Sequence, residues 1–221
     1  IMQTRDIPDK IRALNEIDQR ISLYLTLTSQ DENFITQSDR ILYARHFPDI
    51  EEFLDNNFYM GYTSGGIYPY WREKMLEMFD KGSTIKKAVF TGCIGSGKST
   101  IARKCSIYSL YKVLCLRHPR AVFNVDNDAT LASFIYSITL KTVYETNLMP
   151  FVKILDSMPC FQRVQKISAF KNFDITDETS SIPYCVTGSG GDTTIHFANN
   201  VIQFAGSQET HQTGRNIFNA F

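Results

Sequence analysis

The first part of the chain has apolar residues at helical spacing. Within residues 7–25 the apolar positions step by three or four, namely Ile7, Ile11, Leu14, Ile17, Ile21 and Leu25. Charged residues lie between them, so the pattern predicts an amphipathic helix. A second helical stretch is predicted over residues 38–54, which include a proline at position 48.

Two asparagines at positions 56 and 57 and the glycine-containing run 61–66 interrupt this pattern. We therefore predict a boundary near residue 60, with an N-terminal helical subdomain over residues 1–60 and a second domain over residues 61–221. The helical subdomain is expected to cover the core of the second domain or, alternatively, to act as a partner-binding arm.

Beyond Trp71 the pattern changes to short apolar runs that alternate with longer helical stretches. Strands are predicted over residues 87–91 and 120–125, and helices over residues 71–79, 99–116 and 130–144. Strands that alternate with helices are typical of parallel sheets with crossover helices.

Three short strands are predicted close together near the end of the chain, over residues 182–186, 194–197 and 201–204. The last two are separated by Ala198, Asn199 and Asn200, which predicts a hairpin and therefore an antiparallel part of the sheet. The polar stretch 164–181 is predicted to be a surface loop. The expected fold class is α/β, with a mixed, mostly parallel sheet.

Composition narrows the functional classes. The 221 residues are 43% hydrophobic, enough for a sizeable core, and 23 basic residues balance 23 acidic ones. Without a basic excess, contact with DNA must be local or shared between subunits.

No apolar run approaches the roughly 20 residues that span a bilayer, and residues 1–8 are too polar for a signal peptide, so membrane and secreted functions are not expected. Five cysteines without a C-x-x-C pair argue against a zinc cluster or a disulfide framework and favour a reducing cytosol.

One motif carries specific chemistry. The stretch G-C-I-G-S-G-K-S, residues 92–99, matches the phosphate-loop pattern G-x-x-x-x-G-K-[ST] between a predicted strand and a predicted helix. The loop backbone is expected to hold phosphates with its N–H groups, at Gly92, Cys93, Ile94, Gly95, Ser96 and Gly97. A purely structural glycine loop is the alternative interpretation.

The residues after the loop have predicted roles of their own. Lys98 is expected to bind the β- and γ-phosphates and to be the catalytic charge, while the Ser99 hydroxyl ligates Mg²⁺. Thr100 packs or forms hydrogen bonds just behind them. The predicted ligands are therefore ATP and Mg²⁺.

Turnover also needs carboxylates, usually at the end of a neighbouring strand. Residues 122–128 contain the internal candidates, Asp126 and Asp128. A metal role is one interpretation. An N-cap or a turn before the next predicted helix is the favoured alternative for Asp128.

An aromatic cluster precedes the loop by about 20 residues. Tyr68, Tyr70 and Trp71 offer a surface on which an adenine ring can stack, or alternatively they pack against the helix 71–79. Arg103, Arg163 and Arg215 are candidate catalytic cations, with Arg117 and Arg120 as further basic residues near the loop helix. Each of these arginines can equally be a solvated or paired surface charge.

Several stretches in order resemble the ATPase portion of the large terminase subunit of tailed bacteriophages. They are the aromatic segment 67–71, the phosphate-loop segment 89–100, residues 122–137, residues 195–207 and the Gly-Arg-Asn-Ile segment 214–217. The resemblance covers about residues 60 to 221 and implies a three-layer phosphate-loop ATPase core that hydrolyses ATP to move double-stranded DNA into a viral procapsid.

The resemblance also implies partners and a place of action. Such subunits form a ring on the portal protein and act with the small terminase subunit, in the cytoplasm of the infected bacterial host and transiently on the procapsid. In these proteins the Gly-Arg segment leads to an acidic Asp-Glu pair and then to a nuclease domain, both of which we expect beyond Phe221. Many terminases carry an arginine within the phosphate loop, whereas the variable positions here hold Cys93, Ile94 and Ser96. The charge that stabilises the transition state is therefore expected from another part of the chain or from a neighbouring subunit.

Two other functions share the loop. A small-molecule or nucleoside kinase has it, together with an arginine-rich lid that is not recognisable in this sequence. A nucleotide-dependent assembly module binds ATP to organise a ring interface without hydrolysing it.

Overall fold

The structure is a computed structural model that describes residues 42–61, 66–85, 87–126, 128–137, 139–207 and 216–220. The chain divides into two compact units, Ile1–Leu42 and Tyr43–Phe221. The helix predicted over residues 7–25, and the first part of the one predicted over 38–54, lie outside the described residues. The second unit begins earlier in the chain than the boundary that we predicted near residue 60.

The first three helices of the described residues begin at recognisable signals. Helix α1, Ile50–Asp55, starts after Asp49, whose carboxylate accepts a hydrogen bond from the backbone N–H of Glu52 at 2.8 Å. Helix α2, Pro69–Phe79, has proline at its first position, where a missing N–H costs nothing. Helix α3, Lys98–Cys115, follows Gly97 and confirms the helix predicted over residues 99–116.

The remaining helices are shorter. Helices α4, Pro119–Val122, and α5, Leu140–Val143, are followed by α6, Met149–Ser157, which α5 joins through a π-helical turn at Tyr144–Leu148. Single 3₁₀ turns cover Ile167–Asn172, Gly190–Asp192 and Ala198–Asn200. Within the described ranges no helix is both long and apolar enough to cross a membrane.

Within the described residues six strands form one mixed sheet. They are β1 Leu131–Ser137, β2 Phe161–Arg163, β3 Ile182–Thr187, β4 Thr194–Phe197, β5 Val201–Ser207 and β6 Asn216–Ala220, in the order β2-β3-β4-β5-β1-β6. Three of the five neighbouring pairs are parallel, while β3 with β4 and β4 with β5 are antiparallel. This confirms a mixed α/β fold with a mostly parallel sheet.

The predicted hairpin is also confirmed. Strands β4 and β5 pair antiparallel around Ala198–Asn200, and Asn199 and Asn200 have φ of 59° and 55°. Asparagine tolerates this left-handed conformation better than most residues because its short side chain can bond locally.

Two predicted strands are wrong. Residues 87–91 form no strand: Val89 is 87% exposed, and Phe90 packs on the Trp71 ring without pairing to a neighbouring strand. Residues 120–125 form part of α4 and a turn, because Pro119 presets the first helical φ and Asn124 takes a positive φ of 52°.

The helix predicted over residues 130–144 is wrong for most of its length. Strand β1 occupies residues 131–137, with Leu131, Ser133 and Ile135 buried on one face. On the other face Ala132 is buried as well, whereas Tyr136 near the end of the strand is exposed. Burial on both faces suits a strand that pairs with β5 and β6 inside the sheet, and the aromatic and β-branched side chains favour a strand over the predicted helix. The helix starts only after Thr139, whose hydroxyl accepts from the backbone N–H of Thr142.

Helix α3 lies at the centre of the core. Phe53 packs edge-on against Tyr108 with ring centroids 5.0 Å apart, and Tyr111 contacts Tyr59 at 5.4 Å. Tyr111 also contacts Phe161 of β2 at 5.9 Å, which joins helix and sheet. The segment between Tyr43 and Met60 therefore shares its core with α3.

Candidate functional site

Three glycines shape the loop before α3. Gly92, Gly95 and Gly97 have φ of 139°, 85° and 85°, a region that only glycine enters without strain. Gly97 is the residue directly before the first turn of α3, which is 18 residues long. The loop therefore ends at a helix N-terminus, where unpaired N–H groups and the helix dipole attract anions.

The side chain of Lys98 lies inside the curve of this loop. Its ammonium donates to the carbonyl oxygens of Gly92 at 2.7 Å and Cys93 at 2.5 Å, and it lies 3.2 Å from the Ser96 hydroxyl. One positive charge is thus held at the centre of the loop by oxygens that carry only partial charges. An anion that enters the loop meets this charge directly.

The next two residues face outward. Ser99 and Thr100 are both exposed in the first turn of α3. Ser99 is therefore accessible to a cation that arrives with bound phosphates, as the sequence predicted for Mg²⁺. Thr100 lines a cleft between the loop and the aromatic segment. Its hydroxyl accepts a long hydrogen bond, 3.4 Å, from Arg103.

The aromatic segment before α2 packs directly on the loop. The indole nitrogen of Trp71 donates to the backbone carbonyl of Ser96 at 2.5 Å. A Cβ placed on Gly97 would lie 3.4 Å from the Tyr68 ring and 3.5 Å from Trp71 Nε1. Trp71 also contacts Phe90 and Tyr70 edge-on, with ring centroids 5.6 and 5.1 Å away. The structure therefore brings together the two sequence segments that we predicted for the phosphates and for the base.

A cleft of about 210 Å³ lies between these segments. Its lining consists of Gly66, Ile67, Tyr68, Trp71, Gly95, Gly97, Thr100 and Ile101. The volume is below the roughly 300–1,000 Å³ of sites that enclose a whole ligand, so a nucleotide would be only partly enclosed here. Tyr70 is exposed and contacts the cleft only through Trp71. Gly66 and Ile101 were not predicted as part of the site from the sequence. For Ile101 the sequence does offer a signal, because the residue lies in the first turn of the helix that follows the loop.

The predicted cations occupy different environments. Arg103 donates to the carbonyl of Thr146 at 2.9 Å, and burial lowers its pKa. Arg163 pairs with Asp156 at 3.6 Å on the β2 side of the sheet. Arg215 lies outside the described residues. Arg103, through Thr100, is thus the candidate that the structure links to the cleft.

The other two arginines hold the backbone. Arg120 donates to the carbonyls of Ala129 and Asn199, both at 2.8 Å. Arg117 reaches the carbonyl of Tyr43 at 3.5 Å. These contacts fit the interpretation of both residues as structural charges.

The internal carboxylates lie at the amino end of β1. Asp126 accepts a backbone hydrogen bond from Ala129 at 3.0 Å, which forms a turn. No helix follows Asp128, so its predicted N-cap role is wrong and the turn interpretation is confirmed. Ligands of parallel sheets bind at the carboxyl ends of strands, opposite to these residues. Among the described residues no group of three or more His, Cys, Asp or Glu side chains is arranged to hold a metal.

Comparisons of the chain with models of protein families, with curated proteins and with solved structures gave no match. The loop, Lys98 and the aromatic segment lie together at the N-terminal end of α3. Together they present backbone N–H groups, an ammonium and an aromatic surface within one small region. This combination suits a ligand that carries both phosphates and a flat ring.

Proposed function

We propose that the loop over residues 92–99 binds the phosphates of ATP. The observation that carries this proposal is the position of the Lys98 ammonium, inside the curve of three positive-φ glycines and at the N-terminus of α3. A phosphate that enters the loop exchanges the neutral carbonyl partners of Lys98 for charged oxygens, and such charge-assisted hydrogen bonds are roughly twice as strong.

The other parts of the ligand have neighbours in the same region. Tyr68 and Trp71 would contact the adenine ring, because they line the cleft beside the loop. Ser99 would ligate Mg²⁺, whose remaining ligands would be phosphate oxygens and water, as this ion prefers. Bound Mg²⁺ supplies neutralisation of the charge on the β- and γ-phosphates.

Arg103 would supply a second cation near the phosphates. Its guanidinium is held by Thr146 and Thr100 and would have to leave at least the weaker bond to Thr100 to reach a ligand. The burial that lowers its pKa shows that this charge is already partly stripped of water. A desolvated cation interacts more strongly with a developing negative charge than a solvated one.

The wider function that we propose is that of an ATPase motor for viral DNA packaging. The support is the order of the sequence segments that resemble large terminase subunits, together with a mixed, mostly parallel sheet. In this proposal the chain forms a three-layer phosphate-loop ATPase core, assembles into a ring on a portal protein, and couples ATP hydrolysis to translocation of double-stranded DNA. Its balanced charge suits a motor that must grip and release phosphates in each cycle.

A nucleotide-binding assembly module is the second candidate. The observation that favours it is the loop geometry alone, because the Lys98 ammonium at the N-terminus of α3 would bind phosphates whether or not ATP is hydrolysed afterwards. Such a module binds ATP to stabilise an interface and does not turn it over.

The first test is Mg·ATP affinity of the Lys98→Ala variant by isothermal titration calorimetry. Loss of a charged hydrogen-bond donor should weaken binding about 10- to 100-fold. Lys112→Ala is a matched control, because Lys112 lies in the last turn of the same helix over the Phe47 ring. Equal affinities of Lys98→Ala and the unchanged chain would contradict the proposed site.

A second test separates the motor from its alternatives. A motor should hydrolyse ATP at a rate that rises with protein concentration and with double-stranded DNA, and the DNA effect should weaken with salt. Binding without turnover under all these conditions would favour the assembly module. Phosphate transfer to a small acceptor without DNA would favour a kinase.

A further inference from the structure

The single tryptophan of the chain is bonded to the backbone of the phosphate loop. Trp71 Nε1 donates to the carbonyl oxygen of Ser96 at 2.5 Å, across 25 positions of sequence. The Trp71 ring is half-buried and packs edge-on with Phe90 and Tyr70, so the indole has a defined direction. The bond therefore fixes the direction in which the Ser96 carbonyl points.

The direction of that carbonyl determines the direction of the next N–H. A trans peptide unit is planar, and its C=O and N–H point in opposite directions. When the Ser96 carbonyl points at Trp71, the Gly97 N–H must point away from it. Gly97 has a φ of 85°, and without a Cβ it has no side chain that restricts rotation of this peptide unit. The bond to Trp71 supplies the restriction that a side chain would otherwise give.

We infer that Trp71 is a positioning residue for phosphate binding, which holds the Ser96–Gly97 peptide so that the Gly97 N–H points into the loop. The inference deepens the proposed nucleotide site and rests on it. It assigns Trp71 a role distinct from stacking on the base: the ring face serves the base, and the indole N–H serves the phosphates. The ligands whose binding should depend on this role of Trp71 are polyphosphates, with or without an attached base.

The experiment replaces the N–H alone. Because the chain holds one tryptophan, biosynthetic incorporation of 3-benzothienylalanine changes position 71 and no other. This analogue keeps the two fused rings but carries sulfur in place of N–H. The two probes are tripolyphosphate, which tests the loop alone, and adenosine, which tests the aromatic surface alone. Kd is measured for both by calorimetry.

The expected result is a selective loss. Tripolyphosphate should bind the analogue protein about three- to tenfold more weakly, since one hydrogen bond to the loop is lost, while the Kd of adenosine stays unchanged. Trp71→Phe should weaken tripolyphosphate binding in the same way when incorporation is inefficient. Phe79→Leu is the control, because Phe79 lies on the same helix and packs on Tyr108 instead of the loop; it should lower the melting temperature without changing the Kd of tripolyphosphate.

Other outcomes separate the two proposals. Equal tripolyphosphate affinity of the analogue and the unchanged protein would overturn the positioning role and leave the nucleotide site standing. Equal weakening of tripolyphosphate and adenosine binding would also overturn it, because Trp71 would then only support the fold of the site. Failure of the unchanged protein to bind ATP or tripolyphosphate would overturn both proposals. The ¹⁵N-labelled indole gives a direct check, since its single N–H signal should exchange slowly with water only while bonded.

Discussion

The two ends of helix α3 are held in different ways. From Ile101 to Cys115 most side chains are buried, and Tyr108 and Tyr111 pack among aromatic rings from other parts of the chain. At the N-terminal end Ser99 and Thr100 are exposed, and the loop before them is held by a few polar contacts from Lys98 and Trp71. Packing thus anchors one end, while directional hydrogen bonds set the shape of the other.

This difference predicts how each end responds to change. A buried aromatic cluster loses stability in proportion to the volume removed, whatever the ligand. A loop held by single hydrogen bonds loses little stability when one is removed, but the positions of its N–H groups change, and with them ligand affinity. Stability and binding should therefore respond to separate sets of substitutions.

The largest expected effect is at the buried end. Phe53→Ala should lower the free energy of unfolding by about 3–5 kcal/mol, because Phe53 is fully buried against Tyr108 and Tyr111. Urea unfolding measures this loss. Val89→Ala is the control, since Val89 is almost fully exposed and its truncation should stay within about 0.5 kcal/mol. A loss for Val89→Ala as large as that for Phe53→Ala would show that residues 87–91 are covered in solution.

A matched pair of glycines sharpens the comparison at the loop. Gly95 and Gly97 share a φ of 85°, so alanine at either position should cost about 1–2 kcal/mol of backbone strain. At Gly97 the new Cβ would lie in van der Waals contact with Tyr68 and Trp71, at 3.4 and 3.5 Å, and would occupy space in the cleft that they line, whereas at Gly95 no atom lies within 4 Å. Gly97→Ala should therefore weaken ATP binding more than Gly95→Ala at similar melting temperatures. The reverse order of the two Kd values would contradict the role given to the Gly97 peptide.

Cysteine chemistry distinguishes the two ends without a substitution. Cys93 is exposed in the loop, while Cys105, Cys115, Cys160 and Cys185 are buried. Burial raises the pKa of the Cys105 and Cys115 thiols to about 12, so few thiolates form there at neutral pH. A maleimide should therefore label one thiol per folded chain, at Cys93, as mass spectrometry of peptides can show. Saturating Mg·ATP should slow this labelling about tenfold or more if the loop holds phosphates; an unchanged rate would count against the site.

The sequence predicted the glycine loop, α3 and strands β3, β4 and β5 well, because each has a strong local signal. The glycine pattern needs no tertiary information, and residues 194–207 combine alternation with a turn. Residues 87–91 and 131–137 were predicted wrongly, since a short apolar run does not show whether a partner strand exists. Pairing of β1 with β5 and β6 joins positions about 70 to 85 apart in sequence, which no local pattern reports.

At the site, the residue types were predictable but their contacts were not. The aromatic segment and the loop were both singled out from the sequence, yet nothing local indicated that Trp71 bonds Ser96 instead of only packing. Arg103, Arg163 and Arg215 were equal candidates in the sequence, and the contact of Arg103 with Thr100 is a feature that only the structure supplies. Such contacts depend on how two helices approach each other, which is a property of the whole core.

The smallest expected effect is a pH dependence of stability that comes from Lys104 in helix α3. Lys104 is buried, and burial lowers its pKa to about 8 from 10.5. Between these two values the unfolded chain binds more protons at this residue than the folded chain, so its contribution to stability improves as pH rises from 8 towards 10.5. Cys105 and Cys115 act in the opposite direction above about pH 9, because their raised folded pKa keeps them protonated after the unfolded thiols have ionised.

The Lys104→Met substitution removes the contribution of Lys104 to this pH dependence and leaves that of the two cysteines. The difference in urea midpoint between Lys104→Met and the unchanged chain should therefore shrink as pH rises from 7.5 to 9.5. A constant difference for Lys104→Met would contradict the lowered pKa, because Lys104 would then stay charged in the folded chain over this range.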